Sequence, residues 1–279
     1  MNNGLDLFYR QGAFMDTFNS NHTFAICAYK ENPYLEACIE SLLAQSVKSN
    51  IIICTSTPNG LIEEMGKKYN IPVFINLGES GIAYDWNFAY EQATTEMVTI
   101  VHQDDIYEHT YLEQLLKYKL KHTSIMLIFT DYYEIRNQER VDKNLLLRVK
   151  RFLNFPLKFR FFWGSKFIRR IILSFGSSIC CPSVTYFRSN LPIPLFDVQY
   201  KNSCDYMTFV NLYRRDGAFI YCPQRLLGHR IHPESATTLN ISANVRSQED
   251  FDIFCKLWPK PIAKFIFLFY KTSEKLNDQ

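Results

Sequence analysis

The sequence predicts an α/β domain in which a mostly parallel, Rossmann-like sheet is flanked by helices and followed by a C-terminal helical extension. Three observations carry this reading. Apolar runs of strand length alternate with helix-spaced amphipathic segments from Thr23 to Asp131, the pattern of a parallel sheet covered on both faces. Polar clusters follow several of these runs, at the strand ends where such sheets bind ligands. No internal repeat, low-complexity tract or polar linker interrupts the chain. The expected organisation is an extension over 1–22, one domain over 23–240 and helices over 241–279.

The elements follow in order. Thr23–Ala28 is a strand ending at Tyr29-Lys30-Glu31-Asn32-Pro33. Asn32 is placed to cap a helix with Pro33 at its first position, and Leu35, Ile39, Leu42 and Leu43 supply the apolar stripe. A second strand, Ile51–Cys54, breaks at Thr55-Ser56-Thr57-Pro58-Asn59-Gly60, and a short helix passes through Leu61, Ile62 and Met65. Ile71–Ile75 is a third strand, Gly81–Ala93 a turn feeding a helix, and Met97–Val101 a fourth strand running into His102-Gln103-Asp104-Asp105. Helix Tyr111–Leu120 and strand Ile125–Phe129, ending at Thr130-Asp131, complete this half. Further on, Ser183–Phe187 and Ala218–Cys222 read as strands, Asp205–Arg215 as a helix, and the tail from Glu249 as one or two amphipathic helices.

Composition narrows the function. The 279 residues suffice for a large core, and the aromatic share of 15% is high. With 31 basic and 28 acidic side chains the net charge is +3, too weak for a dedicated nucleic-acid binder. The charge is uneven: Lys143 to Arg170 holds nine Lys or Arg and no acid. The first twenty residues lack a basic stretch followed by an apolar one, and no run reaches membrane-spanning length. The eight cysteines show no CxxC spacing and several lie in apolar runs, so they read as reduced, buried thiols of a cytoplasmic protein. Neither a GxGxxG after the first strand nor a GxxxxGK[ST] is present.

Adjacent carboxylates at a buried strand end, as at Asp104-Asp105, repel unless a cation or hydrogen bonds compensate. A divalent ion shared with substrate phosphates is one solution; a pair of turn or helix-capping aspartates is the other. Asp85 and Asp131, near other element ends, favour the first. In this setting AICAYKENPYLEACIESLLAQS (Ala25 to Ser46), GIAYDWNFAYEQA (Gly81 to Ala93) and VTIVHQDDIY (Val98 to Tyr107) resemble segments of family 2 of the glycosyltransferases, enzymes of the A-type nucleotide-diphospho-sugar transferase fold. The resemblance runs from about Thr23 to Thr238. It implies a nucleotide-sugar-binding half over 23–131 and an acceptor and catalytic half over 132–240. It further implies that Asp105 coordinates Mn2+ or Mg2+ on the donor diphosphate, that Asp104 lies near donor sugar and ribose, and that Ala28, Tyr29 and Glu31 form the nucleotide-binding turn. Asp85 would contact the donor sugar or position a basic partner. Gln103 stands where the family usually has its first aspartate. Thr55-Ser56-Thr57-Pro58-Asn59 replaces the usual Asp-Asp-Gly-Ser, so Thr55 and Ser56 are left to meet the base; a UDP-sugar is the first donor to consider because the family favours it.

Sugar transfer by direct displacement needs a base for the acceptor hydroxyl and positive charge for the departing diphosphate. Asp205, at an expected helix start in NSCDYMTFVNLYRR, matches the base of inverting members, although a first-turn aspartate is also favoured by unpaired helix amides alone. Glu234 and Asp131 are the other carboxylates considered. LLGHRIHPESATT (Leu226 to Thr238) resembles the family's late Arg-x-His…Ser-x-Thr segment. Alternation lets Arg230 and His232 face one side, Arg230 as a phosphate contact and His232 as a metal ligand, against a plain solvated loop. Ser235, Thr237 and Thr238 are weaker phosphate candidates. Trp86 and Trp163 read as core packing before stacking platforms.

The basic aromatic segment 143–175 fits an anionic bilayer surface, with an inward-packed acceptor wall as the alternative and no nucleic acid partner. The expectation is therefore a metal-dependent inverting glycosyltransferase at the inner face of the membrane, adding sugar to a glycan or lipid-linked glycan in surface polysaccharide or lipopolysaccharide synthesis. A nucleotidyltransferase and a non-catalytic membrane-surface binding protein are the rival readings. The first would need a Gly-rich cationic loop where Tyr29–Pro33 stands.

Overall fold

The apolar run His22–Ala28 forms strand β1, buried along most of its length. It opens the architecture seen in a computed structural model, which describes residues 21–232 and 245–275. Helix α1 (Leu35–Leu43) buries Leu35, Cys38, Ile39 and Leu42. It begins later than a cap at Asn32 would place it. The Asn32 side chain accepts instead from the Tyr34 N–H at 2.8 Å, closing a turn ahead of the helix. β2 (Asn50–Thr55) leads to α2 (Gly60–Tyr69), capped by the Asn59 side chain. β3 (Val73–Ile75), α3 (Ile82–Gln92), β4 (Met97–His102), β5 (Ile106–Tyr107) and α4 (Tyr111–Lys119) follow.

β6 (Ile125–Arg136) runs past Asp131, the expected strand end, because it pairs with a later strand along its whole length. β7 (Glu139–Val141) folds back on it. The basic segment contains α5 (Leu145–Asn154) and α6 (Lys166–Leu173), joined by short 3-10 turns. β8 (Val184–Phe187), α7 (Cys204–Leu212) and β9 (Ala218–Ile231) complete the domain, and Pro259 separates the terminal helices α8 (Val245–Leu257) and α9 (Lys260–Lys275).

The strands form one nine-stranded sheet in the order β3-β2-β1-β4-β8-β6-β9-β5, with β7 beside β6. β3, β2, β1 and β4 are parallel, β8 is antiparallel to both neighbours, and β6 and β9 are again parallel. The segment LLGHRIH is thus largely strand, because β9 is held by β6 on one side and β5 on the other.

Phe24, Ile26, Ile53, Ile100 and Val101 are fully buried in the core. One polar chain crosses it: His22 Nδ1 lies 2.6 Å from Ser49 Oγ, His22 Nε2 lies 2.9 Å from Thr99 Oγ1, and Thr99 meets Thr185 at 2.5 Å. Burial holds the His22 ring neutral by lowering its pKa to about 3. All eight cysteines are free thiols, six of them buried. No described helix is long and apolar enough to cross a membrane.

Candidate active site

Because β1, β2 and β4 are parallel neighbours, the turns after them converge on one edge of the sheet. The Gln103 amide binds the Tyr29 backbone twice, its oxygen accepting from Tyr29 N–H at 3.0 Å and its nitrogen donating to Tyr29 C=O at 2.9 Å. An aspartate there could only accept. Lys30 N–H donates to Thr57 Oγ1 at 2.6 Å, tying the first turn to the second. Asp85, in the first turn of α3, accepts from Ser56 Oγ and Asn76 Nδ2, both at 2.9 Å. Ala28, Tyr29, Thr55, Ser56 and Asp85 therefore form one connected rim, with Ala28 and Thr55 buried and Glu31 exposed.

Asp104 and Asp105 occupy the tight turn between β4 and β5. The antiparallel pairing of Ile106 with Gly228 brings the end of β9 over that turn. Asp105 is 0% exposed. Its Oδ1 accepts from the Arg230 N–H at 2.9 Å and lies 3.0 Å from His229 Nδ1, and its Oδ2 faces His102 Nδ1 at 3.8 Å. Burial opposes the Asp105 charge, but the His229 ring, His102 and the Arg230 amide together hold the carboxyl below its usual range. Burial also opposes charge on His229, and Asp105 overcomes it, so the His229 pKa lies above that of an ordinary imidazole. Burial lowers the His102 pKa, against the opposing fields of Asp105 and Asp104.

Asp104 is partly open to solvent. Its Oδ2 lies 2.9 Å from His232 Nε2, and Arg230 Nε donates to its backbone carbonyl at 2.8 Å. The expected alternation of Arg230 and His232 thus brings both onto the acidic turn. His229, which the sequence reading did not single out, reaches it as well. The Arg230 guanidinium lies 4.1 Å from the Tyr34 ring centroid, on the wall of an open cavity of about 470 Å³ that Tyr133 and Arg140 also line.

This turn has the makings of a divalent metal site. Ligand atoms of His102, Asp104 and Asp105 lie within 4.8 Å of one another. The buried His102 Nε2 has no hydrogen-bond partner among the described residues, and nitrogen and carboxylate donors suit Mn2+. His102 also stacks on Trp86, with centroids 5.0 Å apart.

Asp205 stands in the first turn of α7. Its Oδ1 accepts from the Tyr206 N–H at 2.7 Å. Burial raises its pKa, against the opposing fields of Arg246, His102 and Lys150 and the Tyr206 hydrogen bond. Lys150 points inward from the basic segment and donates to Tyr132 Oη at 3.1 Å. Asp131 is not a free carboxylate, since Arg151 Nε holds it at 2.7 Å and Arg225 lies 3.7 Å away. Trp163 is buried and donates to Leu157 C=O, as core packing predicts. Glu234, Ser235, Thr237 and Thr238 lie outside the described residues.

Comparison with known proteins decides the class. A family model described as Glycosyl transferase family 2 matches residues 23–189, more than half of the chain. The chain belongs to glycosyl transferase family 2. No curated protein matches the sequence. Among solved structures, this glycosyltransferase resembles S. aureus TarS with a TM-score of 0.56 at 15% identity, over 88% of this chain and 42% of that one. The chain thus spans less than half of that protein's length. It also resembles glucosyl-3-phosphoglycerate synthase from Mycobacterium tuberculosis in complex with Mn2+ and UDP-glucose (TM-score 0.55, 14% identity, 86% of this chain and 80% of that one). A third likeness is to the mannosyltransferase PcManGT from Pyrobaculum calidifontis in complex with GDP-Man and Mn2+ (TM-score 0.57, 14% identity, 93% and 74%). The fold is the A-type glycosyltransferase fold expected above, and membership of the family makes this chain a glycosyltransferase.

Proposed function

We propose that this glycosyltransferase inverts the donor sugar as it moves it from a nucleotide diphosphate to a hydroxyl of a glycan or lipid-linked glycan, in the synthesis of a surface polysaccharide or lipopolysaccharide. The observation that carries the proposal is that Asp205, a buried carboxylate whose pKa burial raises, lies within the field of His102, which clusters with Asp104 and Asp105. A UDP-sugar is the first donor to test. Solved relatives with UDP-glucose and with GDP-Man share the fold, so the choice of nucleotide rests on the Thr55-Ser56 turn of this chain.

In this reading the nucleotide lies along the rim of Ala28, Tyr29, Thr55 and Ser56, near Glu31 and with Asp85 bracing the rim beneath the donor. Mn2+ or Mg2+ would be held by Asp104 with His102 and Asp105, and His232 beside them, and when bound would supply positive charge to the departing diphosphate. Asp205 takes the proton of the acceptor hydroxyl as that oxygen attacks the anomeric carbon and the bond to the diphosphate breaks. Arg230 adds a fixed cation at the same edge. Asp105 holds His229 and the end of β9 in place, so that Arg230 and His232 face the donor. The basic segment 143–175 contacts an anionic bilayer that carries the acceptor.

The test is donor binding and slow donor hydrolysis across UDP-, GDP-, CMP- and dTDP-sugars, with Mn2+ and with chelator. One preferred donor, lost with chelator and in Asp104→Asn, supports the reading. Turnover untouched by chelator, or undiminished in Asp205→Asn with acceptor present, refutes it.

A further inference from the structure

Outward apolar stripes occur on two helices of this protein. On α5, Leu145, Val149 and Phe152 recur one and two turns apart and all face solvent, Phe152 at 78% exposure. An amphipathic helix normally turns such a stripe toward a core. Phe161, at 88%, and Phe167 continue the bare surface toward α6. α9 lies outside this segment and has the same character. One side packs on α8, with Phe267 5.3 Å from Phe251 and Tyr270 5.5 Å from Phe254 between ring centroids. Its other side bares Ile262, Phe265, Leu268 and Phe269, each 44–64% exposed.

The two regions adjoin. Arg170, on α6, donates to the Leu257 carbonyl at 2.5 Å and lies over the Trp258 ring. Trp258 donates to Ser174 C=O at 2.8 Å and packs against Phe175. The Tyr270 ring sits so close to Gly176 that a Cβ there would meet it at 2.8 Å.

We infer that α9 and segment 143–175 form one surface that seats on an anionic bilayer, with α9 as its second apolar anchor. The charges select this occupant. Arg148, Lys158 and Arg160 are exposed in the segment, Lys260 and Lys264 flank the α9 stripe, and 143–170 contains no acid. A second copy of this face would set its many cations against each other. A nucleic acid would answer the cations but give Leu145, Val149 and Ile262 no apolar surface to enter, since aliphatic side chains offer bases no ring to stack on. Anionic headgroups over acyl chains answer both. The inference rests on the membrane contact proposed for 143–175 and on no part of the sugar chemistry.

The experiment is sedimentation of the full chain with phosphatidylcholine vesicles, with and without phosphatidylglycerol. Binding is expected only with phosphatidylglycerol, and it weakens as salt rises. Phe265→Ser/Phe269→Ser and Phe152→Ser/Phe161→Ser each lower it by about tenfold or more, with donor hydrolysis in solution unchanged. If only the Phe152/Phe161 pair matters, the anchor role of α9 is overturned while the contact of 143–175 stands. No binding to anionic vesicles overturns both. A concentration-dependent dimer in analytical ultracentrifugation, lost in the α9 pair, assigns the stripe to self-association and overturns the inference. Should the serine pair melt early, Lys260→Glu/Lys264→Glu reads the same contact through charge, and unchanged vesicle binding in it counts against α9.

Discussion

Asp105 has exchanged water for the His229 ring and the Arg230 amide, and a buried carboxylate depends on such partners for its place in the fold. Asp105→Asn removes the charge that His229 faces and is expected to cost about 3 kcal/mol of stability, read as a drop in the urea midpoint. Its neighbour behaves differently. Asp104 is partly solvated and tied to His232, so Asp104→Asn should stay within about 1 kcal/mol of the parent in the same titration while losing metal-stimulated turnover. For Asp205 the sign runs through its raised pKa: the base acts only when ionised, and burial keeps its proton to higher pH. Turnover should therefore rise with pH through an apparent pKa above the ordinary carboxylate value, and Asp205→Asn should abolish that limb and lower kcat by about 10² to 10⁴ with donor affinity retained. Asp104 and Asp105 are legible in the sequence because adjacent carboxylates at the end of an apolar run need a reason, whereas Asp205, Arg230 and His232 stand out only through the resemblance to the family. His229 was not legible, because strand alternation assigns it to the face opposite Arg230, and only the fold shows that its ring and the next residue's amide meet the same carboxylate. The signal available was its position just after Gly228, where β9 must pass close to another strand.

That passage belongs to the elements. A Cβ at Gly228 would lie 2.7 Å from the Tyr133 ring and 2.8 Å from Ile135 on β6, and Arg140 stacks on the same tyrosine at 3.7 Å. Gly228→Ala should push β9 off β6, at about 1–3 kcal/mol in thermal melts, and weaken turnover further by shifting His229 and Arg230. The start of the sheet gives a second prediction through the buried His22. Its pKa of about 3 when folded, against about 6.5 when unfolded, means that its contribution is complete above pH 6.5. As pH falls from 6.5 toward 3 the unfolded chain binds a proton that the folded chain refuses, so stability falls by up to about 1.4 kcal/mol per pH unit. His22→Gln, which cannot titrate, should flatten that slope in urea titrations across pH 4 to 7. The first four parallel strands were legible to within a few residues, since each is an apolar run closed by a polar turn. β6 and β9 run well past the ends that the apolar runs alone predict, through Asp131 and Pro223. Long-range pairing overrides both: Arg151 satisfies the aspartate within the ladder, and the register slips beside it.

For the molecule as a whole, the parallel partnership of β6 and β9 matters most. Residues 125–136 lie beside 218–231, so the donor-binding edge and the later part of the chain share one sheet. A chain ended at Asn190, just beyond the stretch matching the family, would leave β6 with an open edge and Asp105 without His229. Such a fragment should be recovered insoluble or lack a cooperative thermal transition, whereas the full chain melts as one unit. The charge distribution is read from sequence alone, but the seating of α9 beside it depends on Trp258 and Arg170, whose contacts no local pattern announces.

The same shared sheet ties the early strands and the late strand β9 into one ladder. A two-lobed enzyme can rock shut over its substrate and gather charged groups from both lobes at that moment; here the turn that carries Asp104 and the strand that carries Arg230 belong to one ladder. The approach of Arg230 to that turn is therefore set during folding, when β5 finds β9.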